Sequence, residues 1–343
     1  MYRLIRLRLS DLAPLAAITL LVLTALLNWA GLAVGGLPLP LVIFLDRMSS
    51  FGTVFLSIFI EAAPFLLLGS LAAGLVEEFV SRDDLAHWIP RGRVPGALAG
   101  GLIGLFFPVC ECGVVPFTRR LLGKGLPLSS AVAVLLAAPA VNPIVIASTL
   151  AAYGWSPIFW GRIVFSFLIA VVTGVVFSRL ASGEVLHPGA LRLEDNEPAE
   201  SQLPKRPLKE RLRHVLVVSA DEFLEMGRYL VIGAALAALM QTFISQAQLL
   251  AVGQGPLLSV LTMQALAVLL SICSTVDAFI SLAFVGTFSG GAILAFLVFG
   301  PMVDIKSTLM YLRLFKTRPA AVLVLLPFTL SLLTGVAFNL VQR

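Results

Sequence analysis

Apolar residues in this chain do not alternate with polar ones at the spacing of a surface helix; they come in long unbroken runs. Such runs cover Leu12–Val34, Phe51–Phe79, Leu126–Leu150, Pro157–Leu180, Val215–Ile244 and Ala320–Leu340. Two more, Gly96–Val109 and Leu257–Phe288, are apolar but interrupted. A helix needs about 20 mostly apolar residues to cross a bilayer, because each residue advances only about 1.5 Å. A helix apolar on every side has no face for water, so the pattern predicts an all-α integral membrane protein.

The pattern also repeats. Phe59-Ile-Glu-Ala-Ala-Pro-Phe-Leu-Leu-Leu-Gly69 aligns with Phe223-Leu-Glu-Met-Gly-Arg-Tyr-Leu-Val-Ile-Gly233, so that Glu61 matches Glu225. Ala138-Pro-Ala-Val-Asn142 aligns with Gly300-Pro-Met-Val-Asp304, and Thr173–Phe177 with Thr334–Phe338, at nearly the same offset. Three matches in order predict two related halves. The expected organisation is an N-terminal transmembrane helix in 1–40, a first membrane repeat in 41–180, and a second in 213–343. Between them, 181–212 is proline-rich and carries charges of both signs, as a flexible cytoplasmic linker does.

Composition agrees: 59% of the 343 residues are hydrophobic and 13% charged, against about 25% charged in a soluble domain. The net charge of +5 therefore reports orientation in a membrane and not affinity for nucleic acid. If every apolar run crossed, Lys and Arg would divide 12 outside to 11 inside. If the segments 95–124 and 256–288 instead enter and leave by one face, the count becomes 20 inside to 3 outside (Arg47, Arg162 and Arg343). The positive-inside rule selects the second arrangement: about seven transmembrane helices, two re-entrant broken-helix hairpins, and the N-terminus in the cytoplasm. Each half then crosses an odd number of times, the plan of an inverted-repeat transporter. The expected location is the cell inner (plasma) membrane.

Ionisable and polar groups at membrane depth are costly and become the candidates for a substrate or ion pathway. They are Glu61, Glu111, Glu225, Asp277, Asp304 and Lys306, joined by Asn142 and by Cys110, Cys112, Cys273, Ser274 and Thr275 at the hairpin tips. Glu225 has Arg228 one turn on as a candidate partner; Glu61 has none nearby and adjoins Pro64, where a helix would bend. Cys110 and Cys112 are soft ligands that suit a thiophilic metal or metalloid, or else two small residues packing a tight turn. Proline in 138–143 and 299–306 frees backbone carbonyls where the crossing helices break. No phosphate-binding loop and no nucleophile–histidine–acid set occurs, so no cofactor is expected and the chain reads as a transporter and not an enzyme.

Phe107-Pro-Val-Cys-Glu-Cys-Gly-Val-Val-Pro116, Arg119-Arg-Leu-Leu-Gly-Lys-Gly125, Ala137-Ala-Pro-Ala-Val-Asn-Pro-Ile144 and Phe296–Lys306 resemble a family of bacterial predicted permeases that includes the organoarsenical efflux permeases. The likeness spans about 45–340 and implies a permease exporting a small solute, among which a thiophilic metal, metalloid or organoarsenical. Relatives linked to copper or zinc efflux carry serine where this chain has Glu111. The partners this implies are the lipid bilayer and a small-molecule or ion substrate, with a homo-oligomer or an accessory subunit compatible. The alternatives are a membrane subunit of a larger, partner-energised complex and, more weakly, an intramembrane thiol enzyme.

Overall fold

The structure is a computed structural model, and it describes residues 39–81, 85, 89–90, 92–107, 109–180, 185–187, 207–243 and 255–341. The N-terminal run Leu12–Val34 and most of the linker lie outside the described residues. Among those described, the chain is helical, with two isolated bridges and no strand. The first half contains α1 (Leu39–Phe79), α2 (Arg93–Phe106), α3 (Glu111–Gly123), α4 (Leu128–Val141), α5 (Pro143–Tyr153) and α6 (Pro157–Phe177). The second contains α7 (Leu208–Phe243), α8 (Pro256–Leu270), the short α9 (Asp277–Ser281), α10 (Gly290–Phe299), α11 (Ile305–Leu314) and α12 (Thr317–Val341). Five spans are long and apolar enough to cross a membrane: Asp46–Phe79, Leu128–Tyr153, Pro157–Phe177, Leu208–Phe243 and Thr317–Val341. The protein is an all-α, multi-pass membrane protein.

Burial sorts the helices into layers. Every residue of α4 is buried, as are Gly291–Phe299 of α10. These two helices form the interior, which is why their sequences show no polar face. Exposed leucines and valines on α1, α6, α7 and α12 make the lipid-facing surface. α1 and α7 pack along their lengths in opposite directions. Arg47 meets Thr242 and Phe243 at one end; Glu78 meets Arg211 and His214 at the other. α1 stays helical through Pro64, from Leu39 to Phe79. A proline inside a long helix costs one hydrogen bond, and α1 packs on α7 along both sides of it.

The two interrupted segments turn back on themselves. α2 lies beside α4 in the same direction: Ser130 Oγ donates to Gly96 O at 2.8 Å, and Gly104 sits against Ala137. The chain therefore returns through α3 to the end at which α2 began. α8 and α10 repeat this, with Ser259 and Ser289 hydroxyls 3.2 Å apart at their starts. Neither α2 (14 residues) nor α3 (13 residues) could cross alone, since each spans only about 20 Å of a core about 30 Å thick.

Candidate functional site

Among the described residues, three helices of eight or more residues begin within the bundle at a chain break or cap. Glu111 opens α3 after the break at 107–110. Asn142 caps α5, its Oδ1 accepting from Ile144 N at 3.0 Å and Val145 N at 2.9 Å, with Pro143 in the first helical position. Asp304 caps α11: Ser307 N donates to its Oδ1 at 2.6 Å, while Asp304 N donates to Ser307 Oγ at 2.9 Å. The two positions matched by the repeat are therefore both N-caps, where a short polar acceptor satisfies amides that a helix leaves unpaired.

Lys306 ties the tips together. Its Nζ donates to Ser271 O, at the end of α8, at 2.9 Å. It also lies 3.4 Å from Glu111 Oε1 and 3.4 Å from Asp304 Oδ2. All three side chains are almost fully buried. Two glycines let the outer helices come this close. A Cβ on Gly69 would lie 2.2 Å from Gly113 Cα, and one on Gly233 would lie 2.8 Å from Lys306 Cα. These are the glycines that close the repeated motif, so each half brings one long helix backbone-to-backbone against the centre.

Cys110, Cys112 and Cys273 are buried and free around this point. Thr275 Oγ1 points at Cys273 Sγ at 3.6 Å. No group of three or more His, Cys, Asp or Glu side chains gathers as a metal site among the described residues. Among the described residues, Cys110 and Cys112 are not joined by a third such side chain. Asn142 is spent on structure: besides the cap, its Nδ2 donates to Ala138 O at 2.8 Å.

Two further clusters of buried and partly buried charge flank the centre. At one end Arg119 reaches Glu222 at 3.3 Å and Glu225 at 2.9 Å; Arg120 reaches Glu222 at 3.1 Å and Glu77 at 3.5 Å. Arg313 joins through Glu225 at 2.7 Å, and Lys124 donates to the carbonyls of Glu77 and Val80. At the other end Arg162 holds Asp277 at 2.6 and 2.9 Å and takes Thr149 Oγ1 (2.9 Å) and Ser274 O (3.3 Å) as further acceptors. Tyr153 and Ser281 hydroxyls meet at 2.7 Å beside it. Helix α6 carries Arg162 near its start and Phe177 at its end, and Phe177 meets Phe315 edge-on, two residues from Arg313. The clusters thus stand about 20 Å apart along that helix.

Several sequence expectations change here. Arg162, counted as an outside loop charge, is 1% exposed and paired. Lys306, counted inside, lies at the centre. Glu225 is paired by Arg119 and Arg313, two partners that its own stretch of sequence does not contain. Glu61 stays apart, half-buried on α1 two turns before Gly69. Glu222 escaped notice because it lies in a charged stretch that reads as a solvated helix end. Its spacing of three residues from Glu225, facing the Arg119-Arg120 pair, was the available signal.

A sequence profile described as "Predicted permease", of the ArsP type, matches residues 47–340. The chain belongs to this predicted permease family. A Bacillus subtilis (strain 168) relative, UPF0718 protein YcgR, is 44% identical over 269 residues, covering 78% of this chain and 89% of the relative. A Streptococcus mutans serotype c relative, described as a putative two-component membrane permease complex subunit, is 34% identical over 267 residues, covering 77% and 87%. No solved structure matches. Family and fold together make the chain a membrane permease and place it with transporters.

Proposed function

We propose that this chain is a secondary permease of the cell inner membrane that exports a small solute by alternating access between two inverted repeats, 41–180 and 213–343. One observation carries the reading. The hairpin arm of each half is locked by ion pairs and hydrogen bonds onto the helix that follows the break in the other half. α3 faces α11 through the Arg119–Glu225–Arg313 chain. α9 faces α5 through Arg162, which holds Asp277 and Thr149 together. Such crossed pairing is what a two-fold axis in the membrane plane between the halves produces. The antiparallel packing of α1 on α7 has the same origin, because these are the repeat-related helices.

The two clusters act as gates on opposite sides of the Glu111–Lys306 centre. The exposed Trp155 and Trp160 lie beside Arg162, as aromatic residues do at a membrane interface. The Arg119 cluster is then the cytoplasmic gate, with the N-terminus and linker on its side. The three buried thiols suit a thiophilic metal, metalloid or organoarsenical as cargo. Reconstitution of the purified chain into liposomes tests the reading: gradient-driven solute flux is expected without any added protein. A growth screen of a deletion strain against metals, metalloids and organoarsenicals chooses the cargo.

The Streptococcus relative's description favours a second reading, a membrane subunit energised or gated by a partner. Liposomes that stay tight until a second component is supplied would select it.

A further inference from the structure

We propose that the Glu111–Lys306–Asp304 centre binds one small monovalent cation, sodium, through its carboxylate oxygens. The inference rests on the permease reading only in taking this centre as part of the pathway. Charge is the first argument. Of the other cations near it, Arg119 and Arg120 are engaged by Glu222 and Glu225, Arg313 by Glu225, Lys124 by the carbonyls of Glu77 and Val80, and Arg162 by Asp277. Among the described residues that leaves two carboxylates, Glu111 and Asp304, facing one ammonium, Lys306. An uncompensated charge is expensive in a low-dielectric interior, and one added positive charge removes the excess.

Geometry is the second argument. An ammonium that satisfies a carboxylate sits about 2.7–2.9 Å from it. Lys306 is 3.4 Å from both carboxylates and makes its short contact, 2.9 Å, to the carbonyl of Ser271. Glu111 Oε2 and Asp304 Oδ2 are buried with no hydrogen-bond donor. Every unsatisfied atom of the triad is an acceptor, so the ligand is a cation and not an anion. The donors are hard oxygens, which select a hard cation over a thiophilic one.

The helix starts do not remove this need. Asp304 Oδ1 receives Ser307 N, but the orphaned oxygen is the other one. Cation binding between the tips would loosen Lys306 from Glu111 and so weaken the contact of the first hairpin with α11. That links site occupancy to movement of the hairpins.

The test is a thermal-unfolding titration of the purified full chain in detergent, at constant ionic strength, with sodium, potassium or choline chloride. Saturating sodium is expected to raise the midpoint by about 5 °C over choline. Glu111→Gln should abolish the response. Asp304→Asn is the second variant, because asparagine caps a helix about as well as aspartate and keeps the fold while removing the charge. Equal midpoints in sodium and choline would overturn the site, as would a full sodium response in Asp304→Asn. Solute flux into liposomes is read separately. Sodium binding without flux would count against the permease reading alone, and flux without a sodium response would count against the cation site alone.

Discussion

Arg162 grips Asp277 with two parallel hydrogen bonds, Nη2 to Oδ2 at 2.6 Å and Nη1 to Oδ1 at 2.9 Å, joining residues 115 apart in sequence. Both side chains are almost fully buried. Each charge offsets the cost of burying the other, and the fork of the guanidinium fixes their relative orientation.

Asp277→Asn should therefore leave a buried guanidinium without its counter-charge and destabilise the protein by about 3–5 kcal/mol. Arg162→Gln should do the same. The double variant should unfold at a higher temperature than either single one, since it strands no charge. Thermal unfolding in detergent reads all three, and additive losses would remove the pair from the account.

The cytoplasmic cluster predicts a graded response. Glu222 has no exposed side-chain surface and holds two arginines, whereas the side chain of Glu225 is 26% exposed. Glu222→Gln should cost about 3 kcal/mol and Glu225→Gln about 1 kcal/mol or less, because solvent can screen the second site. Denaturant unfolding that ranks them the other way would mean that the Arg119 cluster is held by other contacts.

Glycine substitutions separate close approach from helix propensity. Gly69→Ala and Gly233→Ala each drive a methyl group into backbone, at 2.2 Å from Gly113 Cα and 2.8 Å from Lys306 Cα. Both should lower the yield of folded protein and the rate of flux. Gly227→Ala, whose added Cβ meets nothing within 4 Å, should be neutral or stabilising by up to about 1 kcal/mol. Size-exclusion profiles and unfolding midpoints compare the three.

Orientation is tested by labelling. Trp155 and Leu208 are 70% and 64% exposed and belong to opposite ends of the bundle. On a background lacking the native cysteines, Trp155→Cys should react with an impermeant maleimide added to intact cells. Leu208→Cys should react only after the cells are opened. Reaction of Leu208→Cys from outside would reverse the proposed topology.

Much of the architecture was legible in the chain. Lipid demands long apolar runs and internal backbone pairing, so span positions follow from local composition. The hairpins showed because a charge rule acts on whole loops, and the breaks at Asn142 and Asp304 showed because proline and cap residues act on their immediate neighbours. The repeat supplied the equivalence of Gly69 and Gly233 before either could be seen to touch anything. The tertiary structure decided which charges meet. Arg162 and Asp277, Arg119 and Glu222, and Glu111 and Lys306 are 115, 103 and 195 residues apart. A salt bridge depends on the last few ångströms of side-chain placement, set by how helices cross and not by any local period. The same limit made Arg162 look like a loop charge and hid Glu222 within a polar helix end: in sequence a charge is only a cost, and a folded partner makes it a contact.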